Sequence, residues 1–205
     1  MRGPGKQPSS AQAGGGPCLH LACYHAPPFK DPKEATLPLT SQISAYDPQW
    51  PDLFLLEQRR IRAVFSDALV VIHHVGSTAV PGLAAKPEID LLVEVAKHKD
   101  TVDVDQRMTL LGYVRGKDLS RDHHFYRRDI NGVRAHKVHV CSSGHWQIAR
   151  MLRFRDLLRE DPTLRARYQE LKLYLEATNQ HGIGEYLALK APFIDAIMGP
   201  KPEQH

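Results

Sequence analysis

"HHVGSTAVPGLAAKPEIDLLVEV", residues 73–95, sets a glycine-serine turn and a lysine-proline step against an apolar run that carries one aspartate, Asp90. An unpaired polar group in such surroundings costs on the order of 2–7 kcal/mol and an ionised one more, so Asp90 demands a partner or a ligand. The run around it, Glu88 to Val95, is apolar on both sides of the chain, the pattern of a central strand covered by helices on both faces. Alternation places Asp90, Leu92 and Glu94 on one face and Ile89, Leu91, Val93 and Val95 on the other, which packs into the core. Among strand residues only Glu94 can supply a second carboxylate. Upstream, "ALVVIHHV" reads as a β-branched strand ending at Val75, and Gly76-Ser77-Thr78 turns the chain into the loop through Pro87.

The neighbouring segments complete an α+β pattern. "DPQWPDLFLLEQRRIRAVF" has Asp47 and Pro48 as entry signals and apolar residues at helical spacing, predicting a helix over 51–65. A helix over 102–111 follows the Asp90 strand, ended by Gly112-Tyr113, and "GKDLSRD" reads as a loop. "HHFYRRDINGVRAHKVHVC" reads as a hairpin turning at Asn131-Gly132. Three helices close the chain, the first capped by Ser142 or Ser143 and the second by Asp161 before Pro162. Without regular βαβ alternation, these elements predict a small mixed or antiparallel sheet packed with helices and a helical C-terminal half.

Composition bounds the class. The chain has 205 residues, 42% hydrophobic and 24% charged, as in one soluble domain with a full core. No apolar run approaches the roughly 18 residues of a membrane helix, so no membrane partner is expected. Net charge is +4 with a pI near 9.0, a slight bias toward anionic partners. Residues 1–40, rich in Gly, Pro, Ser and Ala, read as a disordered leader, with 199–205 as a short tail. The leader lacks the apolar stretch of a secretory signal, and three cysteines form no disulfide framework, so the cytoplasm is the expected compartment. Cys18, His20, Cys23 and His25 sit too close together for the paired spacing of a zinc finger.

A glycine-serine turn exposes backbone N–H groups and a hydroxyl that can hold phosphate oxygens, and Asp90 in the next strand can hold a divalent cation against them. Together they point to phosphoryl or nucleotidyl transfer chemistry. The alternative is a structural Asp90 that caps its loop or pairs with Lys86.

The 73–95 stretch closely resembles the signature of the GrpB family, and the match continues through "YDPQWP" at 46–51, "LGY" at 111–113, "HKVHV" at 136–140, "FRDLLRED" at 154–161, "YQELK" at 168–172 and "YLALKAPFI" at 186–194. It covers about residues 44–198. The resemblance implies the DNA polymerase β-like nucleotidyltransferase fold, with Gly76 and Ser77 as the phosphate-binding turn and Asp90 as the first metal carboxylate, Mg²⁺ or Mn²⁺ being the expected ion. Leu92 stands where that superfamily usually has a second carboxylate. Family members also occur joined to dephospho-CoA kinase, but this sequence has no P-loop, so kinase activity is not carried over.

Related transferases often place a third acidic ligand in the hairpin's second strand, where this chain has His136, Lys137 and His139; the family motif usually has histidine where Lys137 stands. An imidazole there can serve as ligand or general base, and His139, on the face opposite to that of His136, is the better candidate. Thr78, Lys86, His136, Lys137, Arg155, Tyr186 and Lys190 are further candidates for an anionic substrate; the last two share a helical face. Lys86 alternatively pairs with Glu88, Arg155 with Asp156, and His123 and His124 read as surface residues. The expected function is a nucleotidyltransferase-fold enzyme or relative, with catalytic Ser77, Asp90 and His139 and metal ligands Asp90 and Glu94, acting on a nucleotide or small phosphorylated metabolite. The alternative is a non-catalytic binding module lacking the second metal carboxylate. Nucleic acid ranks last as partner, because the basic residues form no stripe with interleaved aromatics.

Overall fold

The computed structural model describes Met1, residues 41–98 and residues 101–202. The chain divides into two units, Met1–Lys30 and Asp31–His205, and all the elements below belong to the second. The expected leader and its Cys/His cluster fall outside the described residues. Among the described residues five strands and five α-helices follow in the order α1 (Trp50–Phe65), β1 (Leu69–Val75), β2 (Ile89–Val95), α2 (Thr101–Leu110), β3 (Val114–Arg115), β4 (His123–Ile130), β5 (Val133–Ser142), α3 (Trp146–Glu160), α4 (Pro162–Thr178) and α5 (Ile183–Met198). The sheet runs β1-β2-β5-β4-β3. It is mixed: β2 pairs parallel with β5, and the other neighbours are antiparallel.

β2 is covered on both faces, as its composition requires. Ile89, Leu91, Val93 and Val95 pack with Phe54, Ile61 and Phe65 of α1 and with Val138 and Val140 of β5. Leu92, on the other face, is fully buried with Val75, Cys141 and Ile148. A third cluster joins Val80 and Leu83, from the loop after β1, to Leu158 of α3 and Tyr168 of α4. Thus the C-terminal helices hold the loop that carries the glycine-serine turn. Among the described residues no helix is long and apolar enough to cross a membrane.

Local chemistry explains most boundaries. Asn131 (φ 53°) and Gly132 (φ 78°) both take positive φ, as the tight turn between β4 and β5 needs. Asp161 Oδ1 accepts from the backbone N–H groups of Thr163 and Leu164 at 2.8 and 2.9 Å, with Pro162 opening α4. The expected serine cap of α3 is corrected: the His145 ring nitrogen accepts from Gln147 N–H at 3.1 Å, while Ser143 donates to Glu94 instead. β3 was not expected, because two residues carry no period to read.

The opposite sheet face holds a buried charge network. Glu57, 3% exposed, accepts from Arg60, Arg128 and the Tyr113 hydroxyl. His136 lies in this network with Nε2 3.8 Å from Glu57. The hydrogen bonds to Glu57 offset the cost of burying its charge, while Nδ1 of His136 is buried without a partner among the described residues.

Candidate functional site

Antiparallel register sets Val75, the last residue of β1, opposite Asp90 of β2, so the next residue, Gly76, passes directly over the Asp90 side chain. Gly76 has φ 72° and ψ −172°. That conformation is essentially restricted to glycine. A Cβ at Gly76 would lie 2.2 Å from Asp90 Oδ2, so glycine is also the only residue that fits. Ser77–Ala79 form one 3₁₀ turn, and the Thr78 hydroxyl donates to the Glu88 carbonyl at 3.2 Å. This bond ties the start of the loop to its end.

An open cleft of about 480 Å³ lies between this turn, the start of β2, β5 and the last two helices. It brings together Ser77, Thr78, Lys86, Asp90, Lys137, Tyr186 and Lys190, all candidates from the sequence, and adds Glu88 and Lys172. Lys137 is opposite Asp90 in the parallel β2–β5 pairing and forms an ion pair with Glu88. The other Glu88 oxygen accepts from the Ser41 hydroxyl at 2.6 Å. Burial works against the Glu88 charge, but Lys137 and Ser41 outweigh it and hold its pKa below the usual value. For Asp90 burial wins and pushes the pKa up, with Lys137 offsetting only part.

The lysines differ in their surroundings. Burial opposes the charge of Lys137, yet Asp90 and Glu88 raise its pKa. Lys86 lies 3.8 Å from Glu176 and 4.9 Å over the Tyr186 ring. Lys172, 3% exposed, donates to Ser77 Oγ at 3.2 Å and to the Ala84 carbonyl. Burial, aggravated by Lys190, lowers its pKa to about 7. Burial and Lys137 lower Lys190 to about 8 despite Asp90. Lys190 rests 5.1 Å from the Tyr186 ring centre, and neither it nor Lys172 has an ion pair among the described residues. Tyr168 is buried beneath the loop, packed with Val80 and Leu83.

Four candidates stand elsewhere. Glu94 is four residues beyond Asp90, about 13 Å along the strand, and accepts from Ser143 Oγ at 2.7 Å. His139 pairs with Leu92 in register and contacts His123 at 2.9 Å between ring nitrogens; burial and His123 push its pKa down to about 3. His123, expected at the surface, is 3% exposed, and His124 is held by Asp118 and Arg115. His136 faces Glu57 across the sheet from the cleft. Arg155 donates to the His74 carbonyl at 3.0 Å and pairs with Asp156, fastening α3 to β1.

Glu88 was missed although the predicted run, Glu88 to Val95, includes it and its spacing of two from Asp90 puts it on the same face. Lys172 was missed inside an apparently structural helix. Its spacing of four from both Tyr168 and Glu176 was the available clue.

The donors do not fit a dedicated divalent-cation site. Glu88 is engaged by Ser41 and Lys137, the position two after Asp90 is a core leucine, and Glu94 and His139 are distant. Among the described residues no group of three or more His, Cys, Asp or Glu side chains is placed to hold a metal ion. The arrangement can instead neutralise an anion placed between Ser77 and two lysines.

The sequence profile described as GrpB protein matches residues 40–199. UPF0157 protein BH1888 of Halalkalibacterium halodurans is 37% identical over 159 residues, covering 75% of this chain and 78% of that protein. UPF0157 protein YqkA of Bacillus subtilis is 34% identical over 154 residues, covering 75% of this chain but only 45% of YqkA. The crystal structure of conserved protein GrpB from Enterococcus faecalis superposes with a TM-score of 0.66 and 28% identity, covering 76% of this chain and 99% of that one.

Proposed function

Because this chain belongs to the GrpB family, and its cleft is built by the segments that carry the family resemblance, we propose that it binds a nucleotide or another small phosphorylated metabolite there. The phosphate lies at the Gly76-Ser77 turn, between Lys172 and Lys190, and the apolar wall of Ile43, Ile183 and Leu187 receives the rest of the ligand. One observation carries this reading: the buried Lys172 and the half-buried Lys190 line the same cleft as Ser77, and among the described residues no carboxylate is ion-paired to either. Burying like charges together is costly, and an anion between them removes the cost. Of the two forms this function can take, the binding module is favoured over metal-dependent transfer, because Leu92 is core and among the described residues no third His, Cys, Asp or Glu joins Glu88 and Asp90 to hold a metal. Transfer would need Mg²⁺ or Mn²⁺ at Asp90 and would release pyrophosphate.

Calorimetry with a panel of nucleotides tests the reading. Lys172 near 7 and Lys190 near 8 are partly neutral in the free protein at pH 8, whereas a bound phosphate favours their charged forms. Binding at pH 8 is therefore expected to take up protons, seen as a dependence of the heat on the ionisation enthalpy of the buffer. Well below pH 7 both groups are already charged and the uptake vanishes. Lys190→Met is expected to weaken binding at least about tenfold. A panel that binds without proton uptake, or equally well to Lys190→Met, would sink the assignment.

The same variant has an opposite effect on stability. A lysine whose folded pKa is depressed from 10.5 to about 8 opposes folding at neutral pH, where the unfolded chain holds the proton more readily. After discounting for partial exposure, Lys190→Met is expected to stabilise by roughly 1–2 kcal/mol, or about 3–6 °C in Tm at pH 7. That gain shrinks as pH rises toward 10, where both states release the proton.

A further inference from the structure

The strand edge of the cleft contains a carboxylate pair that already has its cation. Glu88 and Asp90 are two residues apart, and both line the cleft. Lys137 sits opposite Asp90 in the parallel β2–β5 pairing and is ion-paired to Glu88. Its position is set by the sheet, since its neighbours Val138 and Val140 are buried in the main core. Its side chain is 28% exposed against 8% for that of Glu88, so it remains open to the cleft while closing off the carboxylate.

From this arrangement we infer that Lys137 is a resident cation, standing where a divalent ion would otherwise bridge Glu88 and Asp90, so that phosphorylated ligands bind without metal. The inference rests on the phosphate-binding reading above. An ammonium has three N–H donors and no acceptor. One serves Glu88, which leaves two for Asp90 and a ligand oxygen. A dication entering this place would have to break the Lys137–Glu88 pair, leaving an ammonium without its partner. It would also meet Lys86, Lys172 and Lys190 around the same cleft, and like charge at that range disfavours entry. The role is positional: Lys137 fixes the two carboxylates and offers one bond to the anion.

The purified chain, stripped with EDTA, is titrated with Mn²⁺ alone, free ion being counted by electron paramagnetic resonance, and with inorganic pyrophosphate by calorimetry. Wild type is expected to bind no Mn²⁺ below about 1 mM and to bind pyrophosphate within about twofold whether EDTA or Mg²⁺ is present. Lys137→Met should lose at least about tenfold in pyrophosphate affinity in EDTA and gain one Mn²⁺ site tighter than about 0.1 mM. Lys137→Gln, which can still hydrogen-bond Glu88, replaces it if the methionine variant does not fold, and Lys137→Arg should behave as wild type in the Mn²⁺ titration. Stoichiometric Mn²⁺ binding by wild type, or a Lys137→Met protein that gains none, overturns the inference. If wild type binds no pyrophosphate in any buffer, the phosphate reading fails, and the Mn²⁺ gain alone decides the role of Lys137.

Discussion

Gly76→Ala is expected to cost about 3–5 kcal/mol of stability, the sum of a backbone conformation that only glycine holds cheaply and a steric clash. At φ 72° and ψ −172°, an L side chain costs about 1–3 kcal/mol even in open space. Here the space is filled: the new Cβ would lie 2.2 Å from Asp90 Oδ2 and 2.8 Å from its Cγ. Asp90 cannot yield by moving its backbone, because β2 is hydrogen-bonded to β1 on one side and β5 on the other. Urea unfolding of Gly76→Ala, Asp90→Ala and the double variant separates the two parts. Removing the Asp90 carboxylate relieves the closest contacts but leaves the backbone strain, so the double variant should be more stable than the sum of the singles by about 1–2 kcal/mol. A single variant within about 1 kcal/mol of wild type, or additive singles, would show that the turn does not rest on Asp90.

The same contact shows what was legible in the sequence. Glycine before serine at a strand end, and a lone aspartate in the next apolar run, were enough to join Gly76, Ser77 and Asp90, because strand alternation and one short loop bring them together. Tyr186 and Lys190 followed from helical spacing. Lys172 did not, since its contact with Ser77 spans 95 residues and depends on how α4 packs under the loop. Such a contact leaves no local period. Glu88 escaped because the face was read only forward from Asp90, although the predicted run already begins at Glu88, two residues earlier on the same face. His139 was misjudged for another reason: sharing a face with Lys137 does not put it in the cleft, because two residues along a strand move a side chain about 7 Å. That distance carries it from Asp90 to the buried partner of Leu92.

Leu92 marks where the resemblance to transferases and the physics of this sheet part company, and Leu92→Asp is expected to cost about 3–5 kcal/mol rather than complete a metal site. Leu92 is fully buried among Val75, Cys141 and Ile148. Its register partners are His139 of β5, whose pKa is held down to about 3, and His73 of β1, whose pKa is also lowered by burial, so neither imidazole faces the new carboxylate as a standing cation. Such a carboxyl keeps its proton in the folded state well above pH 4, whereas the unfolded chain releases it near 3.9. The variant's stability relative to wild type should therefore fall as pH rises from about 4 to 8, because the folded state must either ionise a buried acid or hold a proton against the solvent. Leu92→Asn, polar but never charged, should show a smaller cost and no such slope. Chemical denaturation of both variants at pH 5 and pH 8 measures the difference. If Leu92→Asp were within about 1 kcal/mol of wild type at pH 8 and bound Mn²⁺ tightly, the position would belong to the site and not to the core. The leucine would then be a missing ligand, and the cleft a transferase site one substitution from completion.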